Sequence, residues 1–90
     1  MALPVVYSVS LHPDIAKFTE DLQPKHQKQI NGRIAAFKLN PRPQDSIKLK
    51  DCDDAFRVDI GEYRILYTID YESRKVSVFK VGHRKDVYRR

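Results

Sequence analysis

Residues 56–71, FRVDIGEYRILYTIDY, limit the possible folds more than any other stretch of the chain. Phe56, Val58 and Ile60 alternate with Arg57 and Asp59. After Gly61-Glu62, the alternation resumes with Tyr63, Ile65, Tyr67 and Ile69. Period two on both sides of a two-residue break predicts a β-hairpin. Glycine at the first loop position suits a type II′ turn, whose twist matches antiparallel strands. The register follows: Ile60 opposite Tyr63, Asp59 opposite Arg64, and Val58 opposite Ile65. One face is then apolar and packs inward. The other carries Arg57, Asp59 and Arg64, with Leu66 as the exception.

The rest of the chain supplies what such a hairpin needs. Val5, Tyr7, Val9 and Leu11 alternate with Val6, Ser8 and Ser10, which predicts a first strand. His12-Pro13-Asp14 ends it and opens a short helix, with Pro13 near the first position and Asp14 favouring the free amides of the first turn. Ile15, Phe18 and Leu22 recur at helical spacing, and Pro24 stops that helix and opens a second. Gln27, Ile30, Ile34, Ala35 and Phe37 form its apolar stripe. Gly32 weakens it slightly or permits close packing. Asn40-Pro41-Arg42-Pro43 ends the run. Residues 46–50, SIKLK, read as a short edge strand. Residues 75–81 form the last main strand, with Val76 and Val78 on one face and Ser77, Phe79 and Val81 on the other, and Gly82 marks its end. A basic tail follows. The order is strand, helix, helix, then antiparallel strands. This is an α+β fold with a helical hairpin on one face of a small, mainly antiparallel sheet. The first and last strands are candidates for neighbours in its middle. The opposite face is left partly exposed and basic.

At 90 residues the chain fits one domain, residues 1–90, with a small core. Its net charge of +5 suits an anionic partner or a basic solubilising surface. Cys52 is the only cysteine, so no internal disulfide forms, and a cytoplasmic location is the simplest fit. His12, His26 and His83 show no metal-ligand spacing, and neither a metal nor a cofactor is expected. No signal peptide or membrane span is expected either.

Several segments in order carry a resemblance: the helical hairpin ending at Asn40-Pro41-Arg42-Pro43, Lys48-Leu49-Lys50, Phe56-Arg57-Val58, residues 61–67 (GEYRILY) and residues 81–88 (VGHRKDVY). Together they resemble the RelE/ParE superfamily of small toxins from type II toxin–antitoxin systems, over nearly the whole chain. The resemblance implies a RelE-like, microbial-RNase-like fold. For the RelE branch it implies an endoribonuclease, or mRNA interferase, that cuts messenger RNA at the ribosomal A site and inhibits translation. The ParE branch shares the fold but targets DNA gyrase, so fold alone does not fix function. By the same resemblance, Arg57 is a basic residue on the sheet, Arg64 contacts the scissile phosphate, Arg84 is a second phosphate ligand and Tyr88 stacks on a base near the cut. Asp59 departs from the pattern, because the best-known RelE branch has a lysine there that is implicated as a base. The implied partners are a cognate antitoxin, mRNA with the ribosome, and operator DNA through the antitoxin complex alone. No membrane is implied.

Cleavage by 2′-hydroxyl attack needs a base, charge stabilisation on the phosphoryl oxygens and an acid for the leaving oxygen. Arginine suits the second task through its fixed donor fork. The catalytic candidates are therefore Arg64, Arg84, Tyr88 and His83, and the RNA-binding candidates are Arg57, Lys48, Lys50 and Lys85. Each has a plainer alternative. Arg64 pairs across the hairpin with Asp59. Arg84 is a solvated arginine at a strand end. Tyr88 packs the tail. Histidine is the residue type suited to proton transfer at neutral pH, and His83 is an acid or base or else a packing residue. Lysine as a base needs a lowered pKa. A gyrase poison and a non-catalytic basic interaction domain are the competing functions.

Overall fold

The computed structural model describes residues 5–50 and 53–87. The hairpin forms in the expected register: Ile60 pairs with Tyr63, Asp59 with Arg64 and Val58 with Ile65. Its strands are β3 (Ala55–Ile60) and β4 (Tyr63–Asp70), preceded by β1 (Ser8–Leu11), α1 (Pro13–Glu20), α2 (Pro24–Ala36) and β2 (Ile47–Lys48) and followed by β5 (Lys75–His83). Gly61 has φ of +58°, and Glu62 does not share a positive φ, as a type II′ turn requires.

The five strands lie in the order β1-β5-β4-β3-β2. β1 and β5 are neighbours and run parallel, while the other pairs are antiparallel. β1 lies at the sheet edge rather than in its middle. It starts at Ser8, later than its alternation suggests, and β2 keeps only two of the residues expected of it. β5 departs most from its sequence pattern. Leu66 pairs with Lys80 but Tyr67 pairs with Val78, so Phe79 is an extra residue on β5. Such a bulge shifts the alternation by one. It turns Val81 onto the core face with Val76 and Val78, where strict alternation put it opposite them. The strand also runs through Gly82 to His83 instead of ending at the glycine.

The helices cover this apolar face, with α1 against β5 and α2 against β3 and β4. His12 caps α1, its Nδ1 accepting from the Asp14 amide at 3.2 Å. In α2, Ile30, Ile34 and the following Phe37 are buried, but Ala35 is exposed, so the stripe is narrower than expected. Gly32 faces open space, and close packing does not explain it. Gln27 Nε2 donates to the Leu22 carbonyl at 2.9 Å and ties the two helices together.

Tyr67 sits at the centre of the core. Its ring lies 4.2 Å from that of Phe37 and 6.0 Å from that of Phe56, and its hydroxyl donates to the Pro41 carbonyl at 2.7 Å. Burial pushes its pKa up to about 12. Beside it, Arg33 pairs with Asp45 and holds that carboxyl below the usual carboxylate range. No helix of the described residues is long and apolar enough to cross a membrane.

Candidate functional site

The hairpin places three charged side chains on the face away from the helices. Arg57 and Asp59 are two residues apart on β3 and share a face, and Arg64 stands opposite Asp59 on β4. Both arginines reach the same carboxylate oxygen. Arg57 Nη1 lies 3.2 Å from Asp59 Oδ1, and Arg64 Nε lies 3.3 Å from it. The Arg57 and Arg64 side chains are 19% and 25% exposed, so they lie against the sheet rather than extending freely into solvent.

The next positions across the sheet complete this surface. Leu66 lies between Arg57 and Lys80 in one cross-strand row, and Arg64 lies between Asp59 and Gly82 in the next. Leu66 is buried on this otherwise charged face. Its cross-strand neighbours are long side chains whose aliphatic stems can cover apolar surface. Gly82 stands opposite Arg64, and a Cβ there would meet Val87 Cα at 3.5 Å. Residues 84–87 thus turn back over the end of β5 and seat the buried Val87 above Gly82. These two rows hold three cations, Arg57, Arg64 and Lys80, against one carboxylate.

The other candidates take different places. His83 pairs with Tyr63, and their rings are 5.9 Å apart, on the helix-covered side of the sheet and away from Arg64. Its Nε2 is 3.3 Å from Glu62 Oε2, and its Nδ1 accepts from the Lys85 amide at 3.2 Å. Tyr63 also lies 5.3 Å from the His26 ring. Arg84 and Lys85 are exposed in the turn after β5. Lys48 pairs with Phe56, a core residue, and so projects from the edge on the helix side, where its Nζ is 3.4 Å from Asp53. Lys50 is exposed beyond the end of β2. Tyr88 and Cys52 lie outside the described residues. The structure therefore brings Arg57 and Arg64 together, sets Arg84 and Lys85 on the adjoining turn, and separates His83, Lys48 and Lys50 from the arginine pair.

Sequence reasoning missed one pairing on this surface and one of its members. The pairing of Arg57 with Asp59 was available from their two-residue spacing on one strand. Lys80 was hidden by the bulge, since strict alternation groups it with Val76 and Val78.

Comparison with known proteins places the chain in a family. Residues 10–88 match the family described as the ParE toxin of the type II toxin–antitoxin system parDE. A Methanocaldococcus jannaschii protein that carries the toxin name RelE1 is 29% identical over 86 residues, covering 92% of this chain and 96% of that protein. Among solved structures, RelE in the archaeal RelE–RelB complex of Pyrococcus horikoshii superposes with a TM-score of 0.80 at 23% identity, covering 91% of this chain and 99% of that one. The isolated RelE toxin of Escherichia coli gives a TM-score of 0.73 at 22% identity, covering 86% of this chain and 83% of that one. The matched family spans nearly all of β1 to β5, and the same fold recurs in the RelE toxins. This chain belongs to the RelE/ParE superfamily, the toxins of type II toxin–antitoxin systems.

Proposed function

We propose that the protein is an endoribonuclease of the RelE branch that cuts mRNA at the ribosomal A site and so inhibits translation. The observation that carries this reading is the convergence of Arg57 and Arg64 on one carboxylate oxygen. Two guanidinium groups drawn to a single anionic oxygen, Arg57 through a hydrogen bond and Arg64 as an ion pair, suit a phosphate oxygen equally well. In the proposed reaction the 2′-hydroxyl attacks the adjacent phosphorus, giving a 2′,3′-cyclic phosphate and a 5′-hydroxyl. Arg64, aided by Arg57, stabilises the charge that builds on the phosphoryl oxygens, and Arg84 does so from the neighbouring turn. Lys80, Lys85, Lys48 and Lys50 contribute sequence-independent attraction to the RNA backbone. Tyr88 follows this turn in sequence and is proposed to stack on an unpaired base.

The proposed protein partner is a cognate antitoxin, by analogy with the RelE–RelB complex of the Pyrococcus relative. A groove of about 520 Å³ between α1 and the end of β5, lined by Phe18, Phe79, Val81 and Val87 among others, offers it an apolar seat. Among the described residues, no strand flanks β5 on this side beyond Val78. Operator DNA is reached through that complex. The site of action is the cytoplasm, where translated mRNA is found.

A second reading, a gyrase poison, is favoured by the ParE family match and by Asp59 standing where the best-known RelE branch has a lysine. Mapping mRNA ends in a purified translation system separates the two. New A-site cuts that disappear in folded Arg64→Ala and Arg84→Ala variants support the nuclease. Absence of cuts by folded wild type, with gyrase-dependent DNA breaks, supports the poison.

A further inference from the structure

We infer that His83 is a positioning residue that fixes the Arg84-bearing turn, and that it neither gives nor takes a proton in the reaction. The backbone amides of residues 84, 85, 86 and 87 are all held by two residues. Arg84 N donates to the Glu62 carbonyl at 2.7 Å, and Asp86 N and Val87 N donate to the His83 carbonyl at 2.8 and 2.9 Å. Lys85 N donates to the His83 ring at Nδ1, 3.2 Å away. Glu62 and His83 are in turn joined through Oε2 and Nε2 at 3.3 Å.

This arrangement fixes the chemistry of the ring. A ring nitrogen that accepts from an amide carries no proton, so Nδ1 is the bare nitrogen. Nε2 then carries the hydrogen and donates it to the Glu62 carboxylate. Both nitrogens are occupied within the protein. The ring also stands beside Tyr63, on the opposite side of the sheet from Arg64. A proton shuttle needs a nitrogen within reach of the reacting atoms. The contacts of His83 instead hold the turn against the β3–β4 loop. That hold sets where Arg84 leaves the sheet and where Val87 meets Gly82.

The inference rests on reading Arg84 as a phosphate ligand, and the test has one arm that does not depend on that reading. His83→Asn offers a side-chain oxygen to the amide two residues on, as asparagine does in Asx-turns, but cannot act as an acid or base. His83→Ala offers nothing. Amide hydrogen exchange by NMR is the first arm. Lys85 should lose protection in His83→Ala and keep it in His83→Asn, and unchanged protection in His83→Ala would overturn the inference. RNA cleavage is the second arm. Losing a general acid or base costs roughly 10²–10⁴-fold, and both variants would then fall by that much. Positioning instead predicts that His83→Asn stays within about tenfold of wild type while His83→Ala falls further, mainly in kcat. Equal, deep loss in both variants with Lys85 still protected in His83→Asn would assign His83 to proton transfer. If wild type cleaves no RNA, the nuclease reading fails and the exchange arm alone decides whether His83 holds the turn.

Discussion

Asp59 and Arg64 face each other across the β3–β4 ladder, with Arg64 Nε 3.3 Å from Asp59 Oδ1, and Arg57 shares that same oxygen. The carboxylate therefore occupies the position that an incoming phosphate oxygen would need. Half of the Asp59 side chain is open to solvent, and exposed ion pairs are individually worth about 0–1 kcal/mol. On the proposed nuclease reading, Asp59 is a weak internal competitor that RNA would displace. Asp59→Asn should leave the melting temperature nearly unchanged and tighten binding of a short single-stranded RNA, measured by fluorescence anisotropy. Weaker binding would mean that the carboxylate holds the two arginines in their binding geometry.

Removing an arginine tests the same site from the other side. Loss of one preorganised donor to a developing oxyanion typically costs about 10²–10³-fold in turnover. Arg64→Ala should fall in that range for cleavage of translated mRNA. Arg64→Lys should recover little, since an ammonium lacks the fork that grips two oxygens. Arg57→Ala and Lys80→Ala should act on binding, each lowering the salt dependence of RNA affinity by about one charge. An Arg64→Ala protein that is folded and as active as wild type would confine Arg64 to its cross-strand pairing.

The hairpin, its register and its charged face were legible in the sequence because side-chain alternation and a glycine at the turn are local signals. Parallel pairing of β1 with β5 was anticipated as adjacency but not as an edge, since strand order depends on contacts between distant segments. The bulge at Phe79 had no local mark. It reversed the expected places of Val81 and Lys80, and so hid a cation of the candidate site. The hold of Glu62 and His83 on the turn was equally out of reach, because it joins side chain to backbone across two strand ends. The two-residue spacing of Arg57 and Asp59 was visible, but the carboxylate was assigned to Arg64 alone.

Gly32 offers a stability test free of the site. A Cβ there meets nothing within 4 Å, and its φ is not in the left-handed region. Alanine in a helix interior is favoured over glycine by about 0.8–1.0 kcal/mol. Gly32→Ala should raise unfolding stability by nearly that amount in urea titrations, with an unchanged m-value and unchanged RNA cleavage. A loss of stability would show that α2 needs the glycine's backbone freedom.

Tyr67 couples the core to alkaline pH. Its hydroxyl titrates near the ordinary value of 10.0 in the unfolded chain but at about 12 in the folded one, chiefly through burial. A raised folded pKa means that the native state keeps a proton which the unfolded state has lost. This contribution is complete below about pH 10 and is lost as pH rises towards 12. A two-unit difference corresponds to about 3 kcal/mol at most. Tyr67→Phe removes this dependence. It also leaves the Pro41 carbonyl without its 2.7 Å donor, which costs about 1–3 kcal/mol at neutral pH for a buried acceptor. Denaturant midpoints measured from pH 7 to 11.5 should therefore show the variant weaker at neutrality and the gap narrowing above pH 10. A gap that stays constant across the range would show that the hydroxyl titrates alike in both states.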